Sequence, residues 1–169
     1  MKELVFGHLD VGRKGKDINR AFGLNSGAEV DGEYVVAFWW VYEEVDLGKG
    51  DRWLLFTPQR FGFGQGRYAR VFSRSSLSAL GVGESHHVQY HGTGSTPHWL
   101  LSFTISMMDM TQYTRHTLLG TNESEVNRFF PQAIESLKRL ARVGYPIVDG
   151  PGWNSTGGYT TSYGVGFFG

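Results

Sequence analysis

Four of the six histidines lie in one stretch of thirteen residues, HHVQYHGTGSTPH, from His86 to His98. Imidazole is a common ligand of zinc and other transition metals, so this cluster is a first candidate for chemistry. On a strand, His87 and His91 share a face but lie roughly 13 Å apart, too far to bind one ion. His98 could return across a turn toward His91. His91 and His98 are therefore the candidate metal ligands, and the stretch contains no carboxylate to complete a site.

The segment Val88-Gln-Tyr-His-Gly-Thr93 resembles the strand motif of ADP-ribosyltransferases and related phosphotransferases, in which an apolar residue precedes His-Gly-Thr or His-Gly-Ser. The resemblance implies that His91 and Thr93 hold the nicotinamide-side ribose of NAD and that a later tyrosine, Tyr159 or Tyr163, stacks on the ring. The family often has an acidic residue beyond that tyrosine, and no Asp or Glu follows Tyr159 here. An enzyme that binds NAD or a nucleotide through residues 91–93 is therefore an alternative hypothesis.

The segment QRFGFGQGRYARVF, residues 59–72, combines arginine, glycine and aromatic residues as nucleic-acid-binding strands do. Such a strand stacks bases on its rings and holds phosphates with its arginines. The candidate binding residues are Phe61, Phe63, Arg67, Tyr68 and Arg70. The glycines are one position out of phase with the RNA-recognition signature, and a one-residue shift turns every side chain to the opposite face. We therefore favour a β-hairpin with core aromatics, and binding of RNA or single strands is a second alternative.

A third cationic candidate is the segment VGRKGKDI, residues 11–18. It places Arg13, Lys14 and Lys16 in a glycine-containing loop before an expected helix, where backbone N–H groups could hold an anion. The spacing of a Walker phosphate loop is missing. An exposed basic turn, or a salt-sensitive contact with a partner, is the favoured interpretation.

Composition limits the functional classes. The chain has 169 residues, 40% of them hydrophobic and 19% charged, which suits one folded domain with a sizeable core. The absence of cysteine excludes disulfides, thiol catalysis and thiolate metal sites. No Gly-x-Ser-x-Gly elbow and no His-Glu-x-x-His motif is present. We therefore predict no cofactor and no catalytic constellation of these types.

Charge is balanced overall but segregated along the chain. The net charge is zero, which argues against a general binder of polyanions. Seven carboxylates and one lysine lie between Glu29 and Asp51, whereas five arginines and no carboxylate lie between Arg52 and Gly83. Such stretches can pair between strands or subunits, or can be ordinary solvated faces of one sheet. The N-terminus lacks the apolar core of a signal peptide and no run spans a membrane, so we expect a soluble cytoplasmic protein without membrane contacts.

The clearest element is an amphipathic helix over about residues 123–143. Asn122 and Glu125 form a capping-box pattern, Gly144 can adopt a left-handed stop, and Pro131 is expected to kink or divide the helix. The predicted apolar stripe consists of Val126, Phe129, Phe130, Ala133, Ile134, Leu137, Leu140 and Ala141. Such a stripe is expected to pack on a sheet.

Most other segments predict strands. Residues 34–45 are apolar on both faces, which indicates a central strand covered on both sides or buried in an assembly. Further strands are expected at 52–57, 67–72, 87–91, 98–107 and 110–119, and short helical turns at 17–22 and 76–80. The predicted fold class is α+β, a mainly antiparallel sheet with one principal helix.

The last stretch is rich in glycine, serine, threonine and aromatic residues. We predict a single domain over residues 1–150 and an arm over 151–169 that packs on the domain or on a neighbour. Trp153, Phe167 and Phe168 are candidate anchors. These features together favour a non-enzymatic assembly or interaction protein with protein partners. We expect a homo-oligomeric structural component of a phage particle or another bacterial assembly, located in the cytoplasm or a virion, or a small protein that blocks a partner.

Overall fold

A computed structural model describes residues 33–42, 52–65 and 68–148. These residues form two mainly antiparallel sheets with a helix packed on them, which confirms the predicted α+β class. The elements are β1 (Ala37–Trp40), β2 (Arg52–Phe56), β3 (Arg60–Gln65), β4 (Tyr68–Ser73), β5 (Leu77–His91), β6 (Gly94–Met107), β7 (Gln112–Gly120), α1 (Glu123–Arg142) and β8 (Ile147–Val148).

Sheet A is a meander in which the strands follow chain order, β1-β2-β3-β4. A short 3-10 turn, Arg74–Ser76, then leads into sheet B, whose order is β7-β6-β5-β8 with β8 parallel to β5. The β5–β6 pairing continues to the turn between His91 and Gly94, whereas β7 pairs with β6 only from Trp99 to Ser106. The tip of the β5–β6 hairpin is therefore a two-stranded extension of sheet B.

The core lies between the two sheets and is covered by α1. Alternate residues of β6 supply one part, because Leu101, Phe103 and Ile105 are buried while Ser102 and Thr104 between them are partly exposed. The helix contributes Val126, Phe130, Ala133, Ile134, Leu137 and Leu140. The stripe predicted from the sequence therefore packs on the sheets, with two exceptions. Phe129 and Ala141 are exposed.

The ends of α1 follow the predicted signals. The Asn122 Oδ1 atom accepts from the N–H of Glu125 at 2.9 Å, and Glu125 Oε1 accepts from Asn122 Nδ2 at 2.8 Å. Gly144 has a φ of 102°, the left-handed conformation expected after a helix. Of the two outcomes expected at Pro131, a kink or a division of the helix, the division is wrong, because α1 is continuous through this residue. The proline removes one donor at an exposed turn, and burial of the stripe on both sides keeps the helix intact.

Two short elements predicted in the first half of sheet B are wrong. The segment 76–80 is not a helical turn, and 87–91 is not a separate short strand, because both lie in or next to the fifteen-residue strand β5. The glycine that suggested a stop, Gly81, instead lies within this strand and pairs with Thr104 of β6. A Cβ atom on Gly81 would lie 3.4 Å from the Cβ of Thr104 on β6.

The expected central strand at 34–45 is also corrected. The regular strand is Ala37–Trp40, and among the strands that the structure describes it lies at an edge of sheet A. Residues 43–45 lie outside the described residues. The strand that is buried on both faces is β2, in which Leu54 and Phe56 enter the main core while Trp53 and Leu55 belong to a second apolar cluster.

A buried ion pair joins the start of β3 to the segment before β1. Glu33 and Arg60 are both buried, and their side chains are bridged by two hydrogen bonds of 2.6 and 2.7 Å. The hydroxyl of Thr57 also donates to Glu33 at 2.7 Å. The hydroxyl of Tyr145, after α1, lies 2.6 Å from the Thr57 carbonyl oxygen, and burial raises the pKa of this phenol. One acidic and one basic residue of the segregated stretches therefore pair within the chain.

Candidate interaction groove

The His-Gly-Thr segment lies at the far end of the β5–β6 hairpin. The backbone of His91 is paired with Gly94, and Thr93 is exposed in the turn between them. Tyr159, the proposed stacking residue, lies outside the described residues. The structure therefore places the motif on a projecting tip and leaves the ribose-binding hypothesis a prediction.

His98 approaches a different histidine from the one expected. It lies opposite His87 in the β5–β6 register, and the two ring centroids are 6.2 Å apart. Its Nδ1 atom is 3.1 Å from the carbonyl oxygen of Thr96, and its ring lies 5.4 Å from that of Tyr42. Within residues 33–42, 52–65 and 68–148, no three His, Asp or Glu side chains are arranged to hold a metal ion. The register thus places His98 opposite His87, and the pairing of His98 with His91 stays a prediction because the side chain of His91 lies outside the described part of the chain.

The aromatic residues of the 59–72 hairpin point into the core. Phe61 is 0% exposed and stacks between Phe56 and Phe72 at centroid distances of 5.7 and 5.5 Å. Phe63 is 3% exposed and contacts the ring of Tyr113 at 4.8 Å. Neither ring has a face on which a base could stack, so these two candidate binding residues are corrected to core residues.

Arg70 is exposed, but its guanidinium is engaged by sheet B. The Nη1 atom donates to the hydroxyl of Tyr113 at 2.7 Å, and the group lies 5.4 Å from the centre of that ring. The remaining candidate binding residues lie outside the described part of the chain, either wholly or in their side chains. They are Arg13, Lys14, Lys16, Arg67, Tyr68, Trp153, Phe167 and Phe168.

An apolar groove of about 950 Å³ lies where β1, β7 and α1 meet. Its exposed apolar side chains are Trp40 from β1, Leu118 from β7 and Phe129 from α1, which are 38, 39 and 40% exposed. Phe38 lies beside Trp40 with an edge-to-face ring contact of 4.8 Å. Three different elements thus bring large apolar side chains together at one surface.

Hydrogen bonds close the groove at both ends. At one end, the N–H of Tyr42 donates to the carbonyl oxygen of His116 at 2.7 Å. Beside it, the hydroxyl of Thr117 donates to the carbonyl oxygen of Trp40 at 2.8 Å. At the other end, Arg139 Nε donates to the Val36 carbonyl oxygen at 3.3 Å. Between these ends, residues of α1 from Phe129 to Arg139 form the remaining wall.

Within residues 33–42, 52–65 and 68–148, no strand pairs with the side of β1 that points away from β2, and this side, called the free edge of β1, faces the groove. The N–H of Val41 donates to Arg52 on β2, which sets the alternation of peptide groups along the strand. Phe38 and Trp40, in the intervening positions, therefore direct their peptide groups away from β2. The Thr117 bond to the Trp40 carbonyl confirms this direction, and the Phe38 peptide lies in the open part of the groove.

Charged side chains at the groove are few and balanced. Glu135 and Arg139 lie on the α1 wall. Glu135 also lies 3.6 Å from Lys138 and 4.0 Å from Arg142, and Arg139 donates to Ser136 Oγ at 3.0 Å. The groove therefore presents apolar surface, and its two charged side chains already have partners in the helix and, for Arg139, also at Val36.

This groove was not predicted from the sequence, although a signal was present. Each wall contains adjacent large apolar residues, namely Trp39-Trp40, Leu118-Leu119 and Phe129-Phe130. Neighbouring residues in a strand point to opposite faces, and neighbours in a helix are about 100° apart. One member of each pair can enter the core, and the other must lie outside it.

Comparisons with known proteins give no assignment. No family model and no curated protein matches the chain. Among solved structures, the chain is similar to the hSac2 domain from human phosphoinositide phosphatase Sac2, with 11% identity and a TM-score of 0.40 over 86% of this chain and 94% of that one. No helix in the described ranges has the length and apolar character needed to cross a bilayer.

Proposed function

We propose that the protein is a non-enzymatic interaction protein that assembles with copies of itself through the β1–β7–α1 groove. The observation that carries the proposal is the convergence of Trp40, Leu118 and Phe129, each about two-fifths exposed, on one apolar groove. Large exposed apolar patches mark sites of interaction with other molecules. A groove that also presents a free strand edge can bind an extended segment through its peptide groups.

The apolar surface at the groove supplies a moderate driving force. Full burial of such a side chain contributes about 1.5–3 kcal/mol, so covering the exposed two-fifths of three side chains contributes roughly 2–3 kcal/mol. A free energy of this size raises an association constant by about a hundredfold. The groove therefore suits an assembly in which further contacts or several copies add to the affinity.

The alternative enzyme hypothesis has less support from the described residues. His91 is the last residue of β5, and Thr93 is exposed in the turn that follows it. The RNA hypothesis loses two of its stacking residues to the core. Both alternatives remain predictions, and the assembly proposal is preferred because a groove of suitable chemistry exists.

The test is the mass of the full chain by light scattering over a range of concentrations. We expect a mass above that of one chain, and we expect the double variant Leu118→Lys/Phe129→Glu to be monomeric. The matched control is Met108→Lys/Met110→Glu, which introduces the same charges at side chains that are 67 and 89% exposed on the β6–β7 turn. A full chain that stays monomeric at all concentrations would overturn the proposal.

A further inference from the structure

We infer that the groove binds the C-terminal segment, residues 150–169, of a neighbouring copy. This inference rests on the proposed function and names the occupant of the same site. The occupant must satisfy three properties of the groove: an apolar surface, a near-neutral wall and a free strand edge.

Composition singles out this segment among those that lie outside the described residues. Residues 150–169 contain no Asp, Glu, Lys or Arg, and five of the twenty are aromatic. In contrast, residues 1–32 contain charged residues throughout, and residues 43–51 contain four carboxylates and one lysine. Transfer of a charged side chain into an apolar groove costs free energy unless the charge is paired. An uncharged aromatic segment avoids that cost.

The size of the groove suits side-chain insertion rather than a long strand. About 950 Å³ lies between two closed ends, and the β1 edge between them is only a few residues long. This volume lies in the range of about 300–1,000 Å³ that is typical of ligand pockets. A pair of neighbouring aromatic side chains on an extended backbone, as at Phe167-Phe168, fits such a space and can bond the free Phe38 peptide.

The length of the segment allows exchange between copies. The last described strand is β8, at one edge of sheet B. The strand that lines the groove, β7, is at the other edge, three strand positions from β8. Twenty-one residues follow Val148, and at about 3.3 Å per residue an extended chain reaches roughly 70 Å. An arm at one edge and a groove at the other generate a head-to-tail contact, which forms rings or filaments.

Complementation between two variants of the full chain tests the inference. The arm variant is Trp153→Ser/Phe167→Ser/Phe168→Ser, and the groove variant is Leu118→Lys/Phe129→Glu. We expect each variant alone to be monomeric. An equimolar mixture should form a two-chain complex, because one intact arm and one intact groove remain. Tyr90→Ser is the matched aromatic control, since Tyr90 is 81% exposed on the β5–β6 hairpin, and it should assemble like the unmodified chain.

The outcomes separate this inference from the proposed function. If the unmodified chain assembles and the arm variant assembles equally well, the arm is not the occupant, while assembly through the groove stands. If the unmodified chain is monomeric, both proposals are overturned. If both variants are monomeric but their mixture does not associate, exchange of the arm between copies is overturned.

A competition experiment covers the case in which a variant fails to fold. A synthetic peptide of residues 150–169 is added in excess to the unmodified assembly. We expect the peptide to dissociate it at a concentration at least tenfold lower than a control peptide whose five aromatic residues are replaced by serine. Equal effects of the two peptides would overturn the inference.

Discussion

The β3–β4 hairpin and the groove contain similar aromatic side chains in opposite environments. Phe61 and Phe63 are 0 and 3% exposed, whereas Trp40 and Phe129 are 38 and 40% exposed. In β3, glycine alternates with phenylalanine, so both rings lie on the core face. In β1 and α1, aromatic residues are adjacent, so their side chains point in different directions. Only one side chain of each pair can point into the core. The number of aromatic residues in a segment therefore does not distinguish the core from the exposed groove. The spacing of those residues along the chain does.

The comparison is tested most severely by Phe61→Ala. Removing a fully buried ring leaves a cavity, and we expect the free energy of unfolding to fall by about 3–5 kcal/mol. Urea denaturation of the full chain at low concentration measures this loss. A loss below about 1 kcal/mol would show that the hairpin is not part of the core.

The second test removes the buried ion pair that holds the start of β3. Glu33→Ala leaves the buried Arg60 without its carboxylate, and we expect a loss of about 3 kcal/mol in the same denaturation experiment. The double variant Glu33→Ala/Arg60→Met should recover part of it, because it leaves no unpaired charge in the core. A double variant that is less stable than Glu33→Ala would contradict this account.

Gly120→Ala tests how tightly two elements that line the groove, β7 and α1, are packed where β7 leads into α1. A Cβ atom there would lie 2.6 Å from the Cβ of Glu125 and 2.9 Å from the backbone nitrogen of Val126. The helix start must therefore shift, and we expect a loss of about 1–3 kcal/mol. Gly92→Ala is the matched control, since nothing lies within 4 Å of the added atom. Equal stability of the two variants would show that α1 is not held tightly against β7.

The smallest effect is expected for Phe129→Ser. This ring lies in the groove and not in the core, so the stability of the dilute monomer should change by only about 0.5 kcal/mol. Phe130→Ser, one position along, replaces a ring that is 0% exposed and should cost several times more. Similar losses for the two variants, measured by urea denaturation, would remove the distinction between groove and core.

Much of the fold could be predicted because local signals and tertiary packing agree. The cap at Asn122, the stop at Gly144 and the alternation in β6 are short-range patterns that the structure confirms. The length of β5 could not be predicted in this way. Gly81 resembles a helix stop in the sequence, and only its pairing with Thr104 of β6 shows that it lies inside a strand.

The groove could not be predicted because it is built from residues far apart in the chain. Trp40, Leu118 and Phe129 converge only after β1 and β7, edges of different sheets, meet beside α1. Adjacent apolar pairs indicated that some large side chains would lie outside the core. They did not indicate that three such side chains share one surface. The histidine cluster adds a second example, because the strand register places His98 opposite His87, a pairing that the sequence did not predict.

Hydrogen–deuterium exchange of the Phe38 and Trp40 amides, measured on the full chain at low and high concentration, tests the central claim most directly. These amides face the groove, so we expect their exchange to slow at least tenfold as the chain assembles. The amide of Leu54, on the buried strand β2, should exchange slowly at both concentrations. If the mass rises with concentration while exchange at Phe38 and Trp40 stays constant, the copies associate elsewhere and the groove is not the interface.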